Sequence, residues 1–88
     1  MTDPIMLPNK LIFYMRSNCS LCDEAKAEIY AAIPNIEIEV IDVDSDPILT
    51  ARWGEEVPVG FVGGEKAFKY RVNIRRLRRL LKIAWNNG

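Results

Sequence analysis

The hydrophobic positions of this chain fall into segments of different period, and each period predicts an element. Lys10 to Arg16 (KLIFYMR) is a nearly continuous apolar run, as a strand covered on both faces requires. The rhythm then becomes helical. Cys22, Ala25, Ile29 and Ala32/Ile33 recur on one stripe, Asn18 is placed to cap it, and Asp23 and Glu24 lie near its positive end. Pro34-Asn35 ends that helix, and Ile36, Ile38 and Val40 alternate with Glu37 and Glu39. Period two predicts a half-buried strand near a sheet edge.

Asp46-Pro47 pairs an N-cap residue with a proline suited to the first helical position, so a short second helix runs to Trp53 with Gly54 as its stop. Val57 to Val62 reads as a strand, and Gly63-Gly64 turns it into a hairpin with Glu65 to Arg71. Asn73 caps a last helix whose apolar face is Ile74, Leu77, Leu81 and Ala84/Trp85. The order is β-α-β-α-β-β-α. It predicts an α/β fold, a four-stranded mixed sheet with helices on both faces, whose first two strands run parallel through a right-handed crossover.

Composition narrows this picture only modestly. Eighty-eight residues at 49% hydrophobic and 27% charged make one ordinary globular domain, over 10–86, after a tail over 1–9. No apolar run approaches the roughly 18 residues of a membrane span. Met1 to Pro8 lacks a basic leader and a cleavage site, so a signal peptide is not expected and the cytoplasm is the expected location. Net charge is zero but unevenly spread. Residues 1–64 carry four Lys/Arg against eleven acids, and residues 65–88 carry eight against Glu65 alone, which is −7 and +7.

Two cysteines and no histidine confine the candidate chemistry to Cys19-Ser20-Leu21-Cys22. Two thiolates cannot close a four-ligand zinc site within one chain without recruiting carboxylates. A CxxC between a buried strand and an amphipathic helix fits thiol–disulfide exchange. There Cys19 lies at the helix start, where unpaired N–H groups favour a thiolate, and Arg16 adds a positive charge nearby. Cys22 lies one turn on and faces inward. Cys19 is therefore the expected nucleophile and Cys22 the resolving thiol. The Cys19 pKa is expected below that of a free thiol, with Asp23 and Glu24 opposing the shift. Val57-Pro58 is the second candidate element: a proline at a strand start removes a ladder donor and tolerates a cis bond. An unpaired Val57 backbone there could receive an extended substrate.

YMRSNCSLCDEAK after a strand, DVDSDP before the short helix, and EVPV leading into FVGG together resemble the glutaredoxin-like branch of the thioredoxin superfamily. The likeness spans about residues 10–83 and is similar to small bacterial glutaredoxin-like proteins. It implies the thioredoxin-like fold in its minimal glutaredoxin form. Cys19 and Cys22 would be its redox-active pair, Pro58 its cis-proline, and Val57 the residue whose backbone meets a bound thiol substrate. Arg16 would be a basic position able to contact a glutathione carboxylate. No tightly bound cofactor is implied, and glutathione could serve as a co-substrate. Partners would be protein or low-molecular-weight disulfides, with a reductase or glutathione as electron donor, and the chain is expected to be a monomer. Three departures bear on glutathione: Ser20-Leu21 replaces the usual Pro-Tyr, Glu56 replaces the Thr before Val-Pro, and FKYRVN after the hairpin lacks the family's carboxylates.

Arg75, Arg76, Arg78, Arg79 and Lys82 crowd the polar side of the last helix, with Ile83 among them. They read either as a solvated face or as a docking surface for an acidic partner; poor aromatic interleaving argues against nucleic acid. A redox-sensing binding module using this helix, and a metal-joined oligomer of two CxxC pairs, therefore stand beside the dithiol enzyme as alternative functions.

Overall fold

The computed structural model describes residues 10–87, and side chains through Leu81. The elements are β1 (Lys10–Met15), α1 (Ser20–Ala32), β2 (Glu37–Asp42), a 3₁₀ turn (Val43–Ser45), α2 (Pro47–Trp53), β3 (Val59–Val62), β4 (Glu65–Lys69) and α3 (Ile74–Asn87). The expected tail over 1–9 and the side chains of Lys82, Ile83, Ala84 and Trp85 lie outside the described residues. No described helix is long and apolar enough to cross a membrane.

The four strands form one sheet in the order β2-β1-β3-β4. β1 pairs parallel with β2, Leu11 opposite Ile38, and antiparallel with β3, Phe13 opposite Gly60. β3 and β4 close as an antiparallel hairpin through Gly63 and Gly64, whose φ values of 57° and 85° suit a glycine-only turn. The continuous apolar run thus became the central strand and the alternating one an edge, as their periods predict.

Leu11 and Phe13 point from β1 to one face, where Ala25 and Ile29 of α1 and Leu77, Leu80 and Leu81 of α3 close over them. Phe68 of β4 completes this core, with its ring centroid 6.2 Å from that of Phe13. It crosses the hairpin at Gly60, where a β-carbon would run into the Phe68 ring and lie 3.1 Å from Leu11 Cδ1. The opposite face carries Ile12, Tyr14 and Phe61 and, among the described residues, receives the short α2. Its rings meet edge to face, Tyr14 to Phe61 at 5.9 Å, and Trp53 of α2 packs on both at 6.0 and 5.5 Å.

Local chemistry explains most boundaries. Asp46 accepts from the Ile48 amide at 2.9 Å to start α2, and Asn73 accepts from Arg76 at 3.0 Å to start α3. Asn18 does not cap α1. It takes a left-handed φ of 57°, which asparagine tolerates, and the helix begins later with Cys19 as N-cap. Gly54 ends α2 with φ −54°, not left-handed. Glycine fits there because a β-carbon would meet the Thr50 carbonyl oxygen at 2.5 Å and Arg16 Nη1 at 3.4 Å. β3 begins at Val59 rather than Val57, and β4 ends at Lys69 rather than Arg71, because the Val57 amide is turned to the Trp53 carbonyl and the Tyr70 amide to the carbonyls of Glu56 and Pro58.

Candidate active site

Cys19 and Cys22 are joined as a disulfide, with Cα atoms 5.2 Å apart. One helical turn sets this spacing, and the helix start gives the two sulfurs different surroundings. Cys19 is half-buried, and its Sγ accepts a hydrogen bond from the Cys22 amide at 3.1 Å, so the sulfur serves as the α1 N-cap. Cys22 is 1% exposed, packed with Val43 and Val57, while Tyr14, Met15, Leu49 and Trp53 flank that cluster. One sulfur thus sits against an amide donor at the surface and the other against hydrocarbon.

The Val57–Pro58 peptide bond is cis, and both residues are buried. Val57 contacts Cys22 within the small cluster, so this loop and the dithiol are brought together. The expectation of an unpaired Val57 backbone is corrected in part. Its amide donates to the Trp53 carbonyl at 3.1 Å, continuing the turn that closes α2; its carbonyl accepts no hydrogen bond among the described residues. The loop is held from a second side by Tyr70. The Tyr70 amide lies 2.9 Å from the Pro58 carbonyl and 3.1 Å from that of Glu56, donating to both, with Tyr70 itself at φ 65°. Sequence reasoning missed this clamp, since tyrosine carries no signal for a left-handed position.

Arg16 is hydrogen-bonded to two partners within the chain. Its Nη2 and Nε donate to Asp44 Oδ1 and Oδ2 at 2.8 and 3.2 Å, and its Nη1 donates to the Gly54 carbonyl at 2.9 Å. The side chain therefore ties the end of β1 to the 3₁₀ turn and to the start of the Val57–Pro58 loop, and it makes no hydrogen bond to either cysteine among the described residues. The hydrogen bonds it donates to Asp44, then the charge of Asp44, hold the guanidinium above its ordinary pKa against the burial penalty, and Glu55 and Asp42 add in the same direction. Asp44 is correspondingly held below the usual carboxylate range, first by its hydrogen bonds from Arg16.

Acids dominate the remaining rim. Asp23 and Glu24 are exposed on the first turns of α1, and Glu55 is exposed ahead of Val57. Glu56 Oε1 is buried without a hydrogen-bond partner among the described residues, and Lys66 Nζ lies 3.7 Å away. That ammonium also stands 4.7 Å from the centre of the Trp53 ring, so it is held on the α2 side. A shallow groove of about 170 Å³ leads from Leu21 between α1 and the segment after β4, lined by Glu24, Glu28, Tyr70 and Arg71 among others.

Comparison with known proteins agrees with this geometry. Residues 10–82 match the family model described as a glutaredoxin-like domain. A glutaredoxin-like protein of Dictyostelium discoideum, described as a YDR286C homolog, is 33% identical over 73 residues, covering 74% of this chain and 68% of that protein. The solution structure of protein Ne2328 from Nitrosomonas europaea superposes with a TM-score of 0.71 at 28% identity, over 89% of this chain and 96% of that one. Poplar glutaredoxin C1, at 18% identity, shares the fold, with a TM-score of 0.62 over 85% of this chain and 78% of its own. A thioredoxin-like sheet and a close cysteine pair at the start of its first helix, consistent with thiol–disulfide redox chemistry, thus accompany the sequence match, and the chain belongs to the glutaredoxin-like family.

Proposed function

We propose that this chain is a dithiol thiol–disulfide oxidoreductase in which Cys19 attacks and Cys22 resolves. The observation that carries this reading is the asymmetry of the pair: the Cys19 sulfur accepts the Cys22 amide at the α1 N-terminus, whereas Cys22 is sealed against Val43 and Val57. In the reduced protein the same amide and the helix end favour negative charge on Cys19, which is the form that attacks. The Cys19 thiolate displaces one sulfur of the substrate disulfide as a thiolate and forms a mixed disulfide. Cys22 then loses its proton and attacks Cys19, forming the Cys19–Cys22 bond and releasing the second substrate thiolate. Two electrons pass to the substrate, and an external thiol reductant returns them to the protein.

The Val57–Pro58 loop lines the substrate side, with the Val57 carbonyl available to an approaching chain. Arg16 holds that loop through Gly54 rather than meeting substrate. Single-turnover reduction of a neutral small disulfide tests the assignment. Cys19→Ser is expected to reduce the rate to background, and Cys22→Ser to stop at a mixed disulfide detectable by intact mass. Turnover persisting in Cys19→Ser would overturn it.

A further inference from the structure

The surroundings of the dithiol carry information about substrate that the cysteines themselves do not. Asp23 and Glu24 rise on the first turns of α1, Glu28 continues their line along the groove, and Glu55 and Glu56 precede Val57 on the facing loop. Two of the nearby cations are engaged, Lys66 by Glu56 itself, while Lys26 follows Asp23 by three residues on α1 and Lys69 Nζ stands 5.5 Å from the Tyr70 ring. Arg16 is held by both Asp44 oxygens and the Gly54 carbonyl, and Lys66 lies between Glu56 and the Trp53 ring. Arg71 lines the groove but faces Glu24 and Glu28 there, leaving it net acidic. Leu21 and Tyr70, 43% and 46% exposed, give the same groove an apolar component.

An anionic disulfide approaching Cys19 meets like charge from two elements, whereas a cationic one is drawn in. The groove is also open and small: about 170 Å³, against the roughly 300 Å³ or more of an enclosed small-molecule pocket. That shape suits a polypeptide laid across the site more than a ligand enclosed by it. We infer that the partner reduced by this chain is a protein disulfide whose cysteine is flanked by basic residues, drawn in by the exposed carboxylates of Asp23, Glu24 and Glu28 on α1 and of Glu55 on the facing loop. This inference rests on the dithiol reading above. It adds no chemical step: the basic partner's disulfide takes the two electrons of the Cys19–Cys22 dithiol and leaves as two thiols.

The test uses the full chain, reduced with dithiothreitol and desalted, in single turnover. Three short peptide homodisulfides serve as probes, with each cysteine flanked by lysines, by serines or by glutamates. Each rate is divided by that of the same peptide with dithiothreitol, which removes its intrinsic reactivity. The lysine peptide is expected to exceed the glutamate peptide by about tenfold or more at low salt, with the serine peptide between. The ratio should fall in 0.5 M sodium chloride and in a Glu24→Gln/Glu55→Gln double variant, whose exposed side chains carry little of the fold. Equal rates for the three peptides, or a glutamate preference, would overturn the charge inference while the serine peptide still reports dithiol chemistry. Failure to reduce any peptide would overturn the dithiol reading and this inference with it. A lysine preference that survives both salt and the double variant would overturn the assignment to these carboxylates.

Discussion

The sheet buries apolar side chains on both faces, but the two faces are built for different purposes. On the α1/α3 face, Leu11, Phe13, Ile29, Val62, Phe68, Leu77, Leu80 and Leu81 form one closed cluster spanning every strand but β2, which contributes the half-buried Ile38. Beneath the disulfide the buried apolar cluster among the described residues is Cys22, Val43 and Val57, and their neighbours Tyr14, Leu49, Trp53 and Cys19 remain partly open. Beyond them, α2 leaves a groove against Tyr14 and Phe61, with Ile48 73% exposed beside it. The large cluster holds the fold. The small one holds a reactive sulfur where a partner reaches it, and it relies on hydrogen bonds to fix what packing does not: Arg16 to Gly54, Val57 to Trp53, and Tyr70 to Pro58.

This contrast can be broken on either side. Leu77→Ala empties space in the closed cluster and is expected to lower unfolding stability by about 2–5 kcal/mol. In the fraction that remains folded, the single-turnover rate of Cys19 should be unchanged; a proportional loss of both would mean the two clusters are one. Gly60→Ala overfills the same cluster against the Phe68 ring. A cost of about 1–3 kcal/mol is expected by denaturant titration, with the midpoint moved and the slope retained. Arg16→Gln acts on the other side and has the smallest effect on stability. It should instead loosen the Val57–Pro58 loop, seen as faster amide exchange at Glu56 and Val57.

The Arg16–Asp44 pair also has a pH signature whose sign is fixed. Asp44 is held below its ordinary pKa by Arg16 in the folded chain. Between that lowered value and the unfolded value of about 3.9, the unfolded state binds more protons, so stability rises with pH. The difference in melting temperature between the wild type and Arg16→Gln should be constant above about pH 5 and shrink as pH falls through the folded Asp44 value. A difference that grows on acidification would contradict the pairing.

The elements were legible where burial imposes a period or where a short-range cap decides a boundary. KLIFYMR marks the central strand because both its faces are covered, and Ile36/Ile38 with Glu37/Glu39 marks an edge because one face is not. Asp46 and Asn73 cap their helices through their own side chains, so those starts stood in the sequence. The cysteines were legible as a pair for the same local reason, as their separation is one helical turn. Contacts over long separations were not. Arg16 finds Asp44 at 28 positions and Gly54 at 38, and nothing in the sequence around Arg16 specifies either partner. Tyr70 and Asn18 adopt left-handed backbone that their neighbours impose, and this moved the end of β4 and the start of α1 by small but consequential amounts.

The placement of β2 and β4 at the two ends of the sheet has a consequence for how copies of this chain behave toward each other. An edge strand offers unpaired backbone groups on which a second sheet can grow, which is the route to fibres. β2 presents Glu37 and Glu39 at alternate positions of its first half, Glu39 paired with Lys10 at 2.8 Å, before Ile41 takes the third such position. A second β2 laid against the first would bring carboxylates together in each layer of the growing sheet. Like charges meeting at Glu37 and Glu39 thus disfavour that pairing.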